Sequence, residues 1–191
     1  MAELVKKFTT ETLLAKLPPE TCWAITAETL SRLAVLRMMK TSAPLLGKDE
    51  GILSLLSGWE KEVEVKKKIW EEGAKKMFPW ITETFNIPVE DAVEAANFSI
   101  VVATLMMGPE EEDEIVEATP ERAIYRSTKC LWWERWKEQE VDPGLIPCPI
   151  TCEATFREGL KAVNPKLTYK ATKFMTRGDP YCEGVIEFKE E

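Results

Sequence analysis

Two hydrophobic periodicities divide the chain. In the first part, apolar side chains recur every three or four positions, a spacing that predicts amphipathic helices. One helix is predicted to begin at Pro19, and a longer one to span residues 49–85, where Pro79 kinks or interrupts it. A further helix is predicted over residues 88–108. Because it is apolar on nearly every side, we expect it at the centre of a bundle or against a sheet.

After an acidic run at residues 110–114, which we expect to be a solvated loop, the pattern changes to short alternating segments. Strands are predicted at 113–118, 123–130, 167–175 and 181–188, and helices at 131–140 and 148–163. The predicted fold class is therefore α+β, with an N-terminal helical bundle packed on a C-terminal antiparallel sheet with one or two helices. We expect a single domain over residues 1–191, with a helical half (1–109) and a cysteine-bearing α+β module (110–191).

The charge balance disfavours several classes of partner. The formal net charge is −8, from 25 Lys and Arg against 33 Asp and Glu, and it repels nucleic acids and anionic membrane surfaces. No apolar run approaches the roughly 20 residues of a membrane helix, and no segment has the order of a signal peptide. We therefore expect a cytoplasmic protein that binds neither nucleic acid nor membrane, with its five cysteines kept reduced.

The chain contains no histidine. This excludes Ser-His and Cys-His nucleophile pairs within the chain, together with every metal site that needs an imidazole ligand. Proton transfer near neutral pH must then use carboxylates, thiols, lysines or water.

Four cysteines of the second half are the strongest candidates for chemistry. Cys148 and Cys152 are four positions apart, so in a helix both thiols lie on one face, near its N-terminus, where the macrodipole lowers a thiol pKa. Cys182 alternates with apolar residues along its predicted strand, and Cys130 ends a strand that can neighbour it. We therefore expect these thiols to converge.

Three interpretations of the four thiols remain open at the level of sequence. They are small buried hydrophobic side chains, since free cysteine is among the most buried residue types. They are ligands of a Zn or Fe–S site, although their spacing lacks the CxxC knuckle. Alternatively, they line a pocket as catalytic or ligand-contacting thiols, with Glu153 and Asp179 as the nearest acids in sequence.

The order of short motifs in the module also resembles a known family. The motifs are Thr-Lys-Cys at 128–130, Cys-Pro-Ile-Thr-Cys-Glu-Ala at 148–154, Gly-Leu at 159–160, Asn-Pro-Lys-Leu at 164–167 and Arg-Gly-Asp-Pro-Tyr-Cys at 177–182. Together they resemble the L-2-amino-thiazoline-4-carboxylic acid hydrolase family over about residues 115–188. The closing Gly-Asp-Pro-x-Cys and the cysteine-proline helix start are also similar to the 4-vinyl reductase domain, a small-molecule-binding module.

The resemblance implies hydrolytic opening of a five-membered ring that contains sulfur and nitrogen, or of a related amide or cyclic C–N compound. The motif positions carried over are Cys130, Cys148, Cys152, Gly178, Asp179 and Cys182. The chain departs from the family pattern at Thr155, where the family carries an acid, and this puts the named reaction in doubt if that acid activates water. The scaffold can host other functions.

We therefore expect a pocket between the C-terminal sheet and the helix that begins at Cys148, and a small heterocyclic or anionic ligand in it. The expected catalytic residues are Cys152, Glu153 and Asp179, and the expected ligand-binding residues are Cys130, Cys148, Cys182, Arg126 and Arg177, with either arginine holding a substrate carboxylate.

Two alternatives belong to other classes of protein. One is a non-catalytic sensor or subunit that uses the same pocket and forms a homo-oligomer through the apolar stripes of residues 20–107. The other is a metal protein in which Cys130, Cys148, Cys152 and Cys182 are the candidate ligands of Zn or an Fe–S cluster; otherwise no cofactor is expected.

Overall fold

The structure is a computed structural model that describes residues 59–107, 111–138, 140 and 143–189. The helix predicted to begin at Pro19 and the start of the one predicted over 49–85 lie outside these residues. The described helices are α1 (Trp59–Phe85), α2 (Ala92–Met107), α3 (Leu131–Glu138) and α4 (Cys148–Val163), with 3-10 turns at Pro143–Leu145 and Met175–Arg177. The strands are β1 (Glu112–Ala118), β2 (Arg122–Lys129), β3 (Leu167–Lys173) and β4 (Cys182–Phe188). The fold class is α+β, as predicted.

The four strands form one antiparallel sheet in the order β1-β2-β4-β3. Both predicted hairpins are present, and β2 and β4 pair at the centre. Gly184 of β4 lies opposite Tyr125 of β2 on one side and opposite Ala171 of β3 on the other. β3 ends at Lys173, two residues earlier than predicted, because the chain turns there into the 3-10 segment that Asp179 caps.

One face of the sheet is buried and the other carries most of the charged side chains. This follows from the alternation of side chains along each strand. The buried face is formed by Ala123, Tyr125, Leu167, Tyr169, Ala171, Gly184 and Ile186. Helices α2 and α4 pack against the sheet and contribute to the same hydrophobic core.

Helix α2 is buried along almost its whole length, which explains its lack of a polar face. The side chain of Asp91 accepts a hydrogen bond from the Glu94 amide at 2.8 Å, which satisfies a donor of the first turn. The helix packs against β1, β2 and β4. Its last turn, with Met106 and Met107, reaches the end of the sheet where β2 ends and β4 begins.

Helix α1 packs along α4 and continues through Pro79. Pro79 was expected to kink or interrupt the helix, and the structure excludes the interruption. Its neighbours Phe78 and Ile81 are fully buried, and this packing outweighs the hydrogen bond that proline cannot donate. Within the described ranges, no helix combines the length and apolarity that crossing a membrane requires.

Candidate functional site

A cavity of about 80 Å³ lies between the buried face of the sheet, the end of α2 and the first turns of α4. One water molecule needs about 10–15 Å³ of such space, so the cavity has room for several waters or a compact chemical group. We call it the thiol cavity, because its lining includes Cys130, Cys148, Cys152 and Cys182, all of them free thiols. Its other lining side chains are mainly apolar or aromatic, among them Trp70, Met106, Tyr125, Trp132, Phe156 and Tyr169.

Two of the thiols come from the first turns of α4. The helix begins at Cys148, directly after Pro147, and Cys152 follows one turn later on the same face. The nearby Thr151 and Thr155 are buried, and each donates its hydroxyl hydrogen to the backbone carbonyl four residues earlier. The structure therefore presents both thiols to the cavity from a helix N-terminus.

These two thiols differ in acidity. A hydrogen bond from Cys152 lowers the pKa of Cys148, and the positive charge of Arg177 lowers it further, against the opposing effect of burial. The same hydrogen bond and the burial of Cys152 raise its own pKa well above the ordinary value. Cys148 is therefore the thiol of this pair that ionises first, and the nucleophile is the thiolate.

The other two thiols come from the sheet. Cys130 follows β2 and contacts the Met107 sulfur at 3.8 Å, and burial raises its pKa far above the ordinary value. Cys182 is the first residue of β4, and its sulfur accepts a hydrogen bond from the Met175 amide at 3.4 Å. Burial raises the pKa of Cys182 to about 11. Both remain protonated near neutral pH.

A carboxyl group also reaches the thiol cavity. Glu111 lines it and accepts a hydrogen bond from the Leu131 amide at 2.7 Å. Burial raises the pKa of Glu111 to about 7, and its charge acts on Cys130, Cys148 and Cys182. This carboxyl is therefore poised to give and take a proton near neutral pH. The expectation that residues 110–114 form a solvated loop was wrong, because burial affects Glu111 and residues 112–114 belong to β1.

Next to it, Asp113 is held by Ser127, a residue of the cavity lining. The Ser127 hydroxyl donates to the Asp113 carboxylate across the β1–β2 pair. Burial raises the pKa of Asp113 to about 6 although this hydrogen bond opposes the rise. Two neighbouring acidic side chains thus share a poorly solvated environment at this end of the sheet.

The two acids that sequence suggested for catalysis do not line the cavity. Glu153 lies on α4, with its carboxylate 3.6 Å from Arg157. Asp179 accepts a hydrogen bond from the Phe174 amide at 2.8 Å and so caps the 3-10 turn. Because Asp179 stabilises a turn and Glu153 pairs along its own helix, the structure supports neither as the proton-transfer group.

The two arginines suggested for carboxylate binding are also outside the lining. Arg126 donates to Glu183 at 2.8 Å and lies over the ring of Tyr181, 4.4 Å from its centre. Arg177 donates to the backbone carbonyls of Pro143 and Ile146, just before α4 begins. Its charge lowers the pKa of Cys148, so it influences the site without lining it.

Glu111, Tyr125 and Tyr169 were missed as site residues. The alternation of the predicted strands already places both tyrosines on the buried face, which was a usable signal. No comparable signal existed for Glu111, because it lies just before β1 and its direction depends on how the chain leaves α2. Thr155, the departure from the family pattern, lines the cavity, and Glu111 brings a carboxyl to the same space.

A thiolate metal site was one of the alternatives that the sequence left open. In the part of the chain that the structure describes, no group of three or more Cys, Asp or Glu side chains is arranged to hold a metal ion. Sharing a cavity is not sufficient for a structural Zn site, which requires four ligands in a tetrahedral arrangement.

The fold and the site define an α+β protein with a small, thiol-lined cavity whose lining also includes the Glu111 carboxyl. A scan against models of known protein families finds no match to the chain, and a search of curated proteins finds none either. The function is therefore inferred from the chemistry of the cavity itself.

Proposed function

We propose that this protein is a hydrolase that uses the thiol of Cys148 to open a C–N bond in a small heterocyclic, thiazoline-type compound or a related amide or cyclic compound. The observation that carries the proposal is that Cys148 and Glu111 line one cavity. One is a thiol of lowered pKa at a helix N-terminus, and the other is a carboxyl with a pKa of about 7. This pairing of nucleophile and acid needs no histidine.

The reaction proceeds in two stages. The Cys148 thiolate attacks the ring carbon that carries a C=O group, or a C=N group whose nitrogen lies outside the ring, and forms a C–S bond as the π electrons move to that oxygen or nitrogen. When this electron pair re-forms the double bond, the C–N bond of the ring breaks, and the Glu111 carboxyl donates its proton to the leaving ring nitrogen, which leaves a thioester or a thioimidate. In the second stage, the Glu111 carboxylate takes a proton from water, the water oxygen attacks the same carbon, and the Cys148 thiolate leaves.

This proposal changes the roles that sequence suggested. Cys152 becomes the hydrogen-bond donor that lowers the pKa of Cys148, rather than the nucleophile. Glu111 takes the place of Glu153 and Asp179 as the proton-transfer group. The resemblance to the thiazoline-carboxylic acid hydrolases supports a cyclic C–N substrate, and the carboxyl of Glu111 supplies an acid that Thr155 lacks.

A non-catalytic small-molecule sensor is the second candidate. It is favoured by the raised pKa of Cys130, Cys152 and Cys182, which keeps three of the four lining thiols protonated and unreactive. An apolar cavity lined by neutral thiols suits ligand binding without chemistry.

The test is a turnover screen of the full chain with small thiazolines, lactams and cyclic amides. Ring opening is followed by mass spectrometry as the gain of one water molecule. We expect Cys148→Ser and Glu111→Gln each to reduce turnover at least about 100-fold, the scale of losing a nucleophile or a positioned acid. Glu153→Gln is the matched control, since it makes the same change outside the cavity, and it should leave turnover unaltered.

Full activity in Cys148→Ser would exclude the thiol mechanism. Ligands that stabilise the protein against heat without being turned over would favour the sensor instead.

A further inference from the structure

The thiol cavity contains a pair of tyrosine hydroxyls that the proposed hydrolysis does not use. The hydroxyl oxygens of Tyr125 and Tyr169 are 3.3 Å apart, and both residues line the cavity. Their side chains are buried, with 6% and 7% of their surface exposed. Ser127 also lines the cavity from the sheet, but its hydroxyl donates to Asp113, whereas the two tyrosine hydroxyls contact each other.

The pair leaves one hydrogen-bond donor unused. Each tyrosine hydroxyl has one hydrogen to donate, and the single bond between the two oxygens uses one of the two hydrogens. Among the described residues, neither hydroxyl has another partner. The distance of 3.3 Å between the two hydroxyl oxygens is also long for a hydrogen bond between hydroxyl groups. A buried donor without an acceptor is unfavourable, so the pair is suited to a ligand that brings an acceptor atom.

The two rings are held in place by the strands beneath them. A Cβ atom at Gly184 would lie 2.6 Å from the Tyr125 ring and 2.7 Å from the Tyr169 ring, so only glycine allows both rings to lean together there. From the other side, Phe156 of α4 packs at 5.5 Å from Tyr169 and 6.3 Å from Tyr125, measured between ring centres. The hydroxyls are thus positioned before any ligand enters.

The charges of the lining disfavour an anionic ligand. Among the described lining residues, the cation is Lys173. Its ammonium group already donates to the Tyr181 hydroxyl at 2.6 Å and lies 4.0 Å from the Glu183 carboxylate. Glu111 and Glu183 are the acids of the lining, and Arg126 and Arg177 lie outside it. Among the described lining residues, a ligand carboxylate would meet no unpaired cation, which argues against the anionic ligand expected from the sequence.

We propose that Tyr125 and Tyr169 form a binding site for the carbonyl oxygen or imine nitrogen of a small uncharged ligand. One tyrosine donates to the other, and the second donates to the ligand. The inference rests on the proposed function in one respect, because it takes the thiol cavity as the substrate site, but it requires no reaction at Cys148. It names uncharged carbonyl and cyclic imine compounds as the class that the cavity selects.

The test compares two probes of nearly equal shape. Cyclopentanone carries the acceptor oxygen, whereas methylenecyclopentane has a CH₂ group in its place. Their affinities for the full chain are measured by NMR titration. We expect the Tyr125→Phe/Tyr169→Phe double variant to weaken binding of cyclopentanone by about tenfold, the scale of one buried hydrogen bond, and to leave methylenecyclopentane within about twofold. Each single variant should lose less, since the remaining hydroxyl is then released to donate.

Tyr181→Phe is the matched control. It removes the third tyrosine hydroxyl of the chain, which accepts a hydrogen bond from Lys173 and belongs to a residue that does not line the cavity, and it should not change the preference for cyclopentanone. Circular dichroism verifies that each variant is folded. Equal binding of the two probes by the parent chain, equal losses of both in the double variant, or binding of neither would overturn the inference.

Repeating the titrations with Cys148→Ser separates this inference from the proposed function. If the thiol mechanism fails and the hydroxyl site is correct, replacing Tyr125 and Tyr169 weakens binding of cyclopentanone equally in this variant and in the parent. This result does not depend on whether either protein turns over substrate. If the hydroxyl site is wrong but the mechanism holds, the parent turns over substrates and the double variant retains the parent's probe affinities.

Discussion

Cys148 differs from the other lining cysteines in its surroundings. It begins a helix, accepts a hydrogen bond from Cys152 and lies within the field of Arg177, and these three features all favour a thiolate. Burial raises the pKa of Cys130 and of Cys182, and it outweighs the backbone amide hydrogen bond that lowers the pKa of each. At the scale of single residues, the surroundings therefore favour the thiolate at Cys148 and disfavour it at the other three lining cysteines.

Alkylation with iodoacetamide, an uncharged reagent, should reveal this difference. Near neutral pH we expect Cys148 to react about tenfold faster than Cys182. The pKa of Cys148 is lowered whereas that of Cys182 is raised to about 11, so the thiolate fraction is larger at Cys148, and the lower nucleophilicity of a more acidic thiol offsets only part of this advantage. Peptide mass spectrometry of samples quenched over time gives each rate.

The control variant is Cys152→Ala, which removes the hydrogen bond to Cys148 and should slow its alkylation. Faster labelling of Cys130 or Cys182 than of Cys148 would contradict the assignment.

The contact between α1 and α4 determines how α4 presents its thiols. Gly159 lies directly against the ring of Phe78, where an added Cβ would come within 2.4 Å of the ring carbons. Phe78 in turn packs edge-on against Phe98 of α2 and Phe156 of α4, with ring centres 5.5 and 5.8 Å apart. At the scale of elements, this aromatic cluster connects the helix pair to the tyrosines of the sheet through Phe156.

Gly159→Ala should therefore destabilise the protein although alanine is the better helix former. The cost of overpacking is about 1–3 kcal/mol, because the buried Phe78 ring has no exposed end that can move aside. Urea unfolding followed by circular dichroism measures the change. Lys161→Ala, an exposed position of the same helix, is the control and should change stability by less than about 0.5 kcal/mol. Unchanged stability in Gly159→Ala would mean that the two helices are not in this close contact.

The stability of the whole molecule should depend on pH through its two buried acids. Burial raises the pKa of Glu111 to about 7 and that of Asp113 to about 6, so the folded state binds their protons more tightly than the unfolded chain does. The stabilisation from these groups is fully present below the unfolded pKa values, near pH 4, and is lost as pH rises through 6 to 7. Their contribution therefore has the opposite sign to that of an ion-paired carboxylate.

The loss of unfolding free energy between pH 4 and pH 7.5 should be smaller in Glu111→Gln than in the parent chain. We expect this difference to be on the order of 2 kcal/mol. Urea unfolding at each pH gives this difference. Glu153→Gln is again the matched control, since its carboxyl lies outside the cavity. A parallel pH dependence in Glu111→Gln and the parent would show that this carboxyl is solvated in the folded protein.

Several parts of the fold were predictable because they depend on local pattern. The start of α4 at Cys148, the burial of α2 and both hairpins follow from periodicity, proline placement and turn residues. The continuation of α1 through Pro79 was not predictable, because the packing of Phe78 and Ile81 decides it. The structure places Glu153 and Asp179 outside the lining of the thiol cavity, because closeness in sequence to a cysteine does not give closeness in space.

The sequence by itself determined the α+β class and the approximate positions of the helices and strands that the structure describes, since hydrophobic periodicity is a property of the chain. Its composition, which lacks histidine, also restricted proton transfer near neutral pH to carboxylates, thiols, lysines or water. Only the tertiary structure decided which groups share a cavity. The directions of Glu111, Arg126 and Asp179 depend on strand register and helix packing, which bring together residues far apart in the chain. The same packing removes water from some ionisable groups and not from others, and so it decides which thiol and which carboxyl are suited to react.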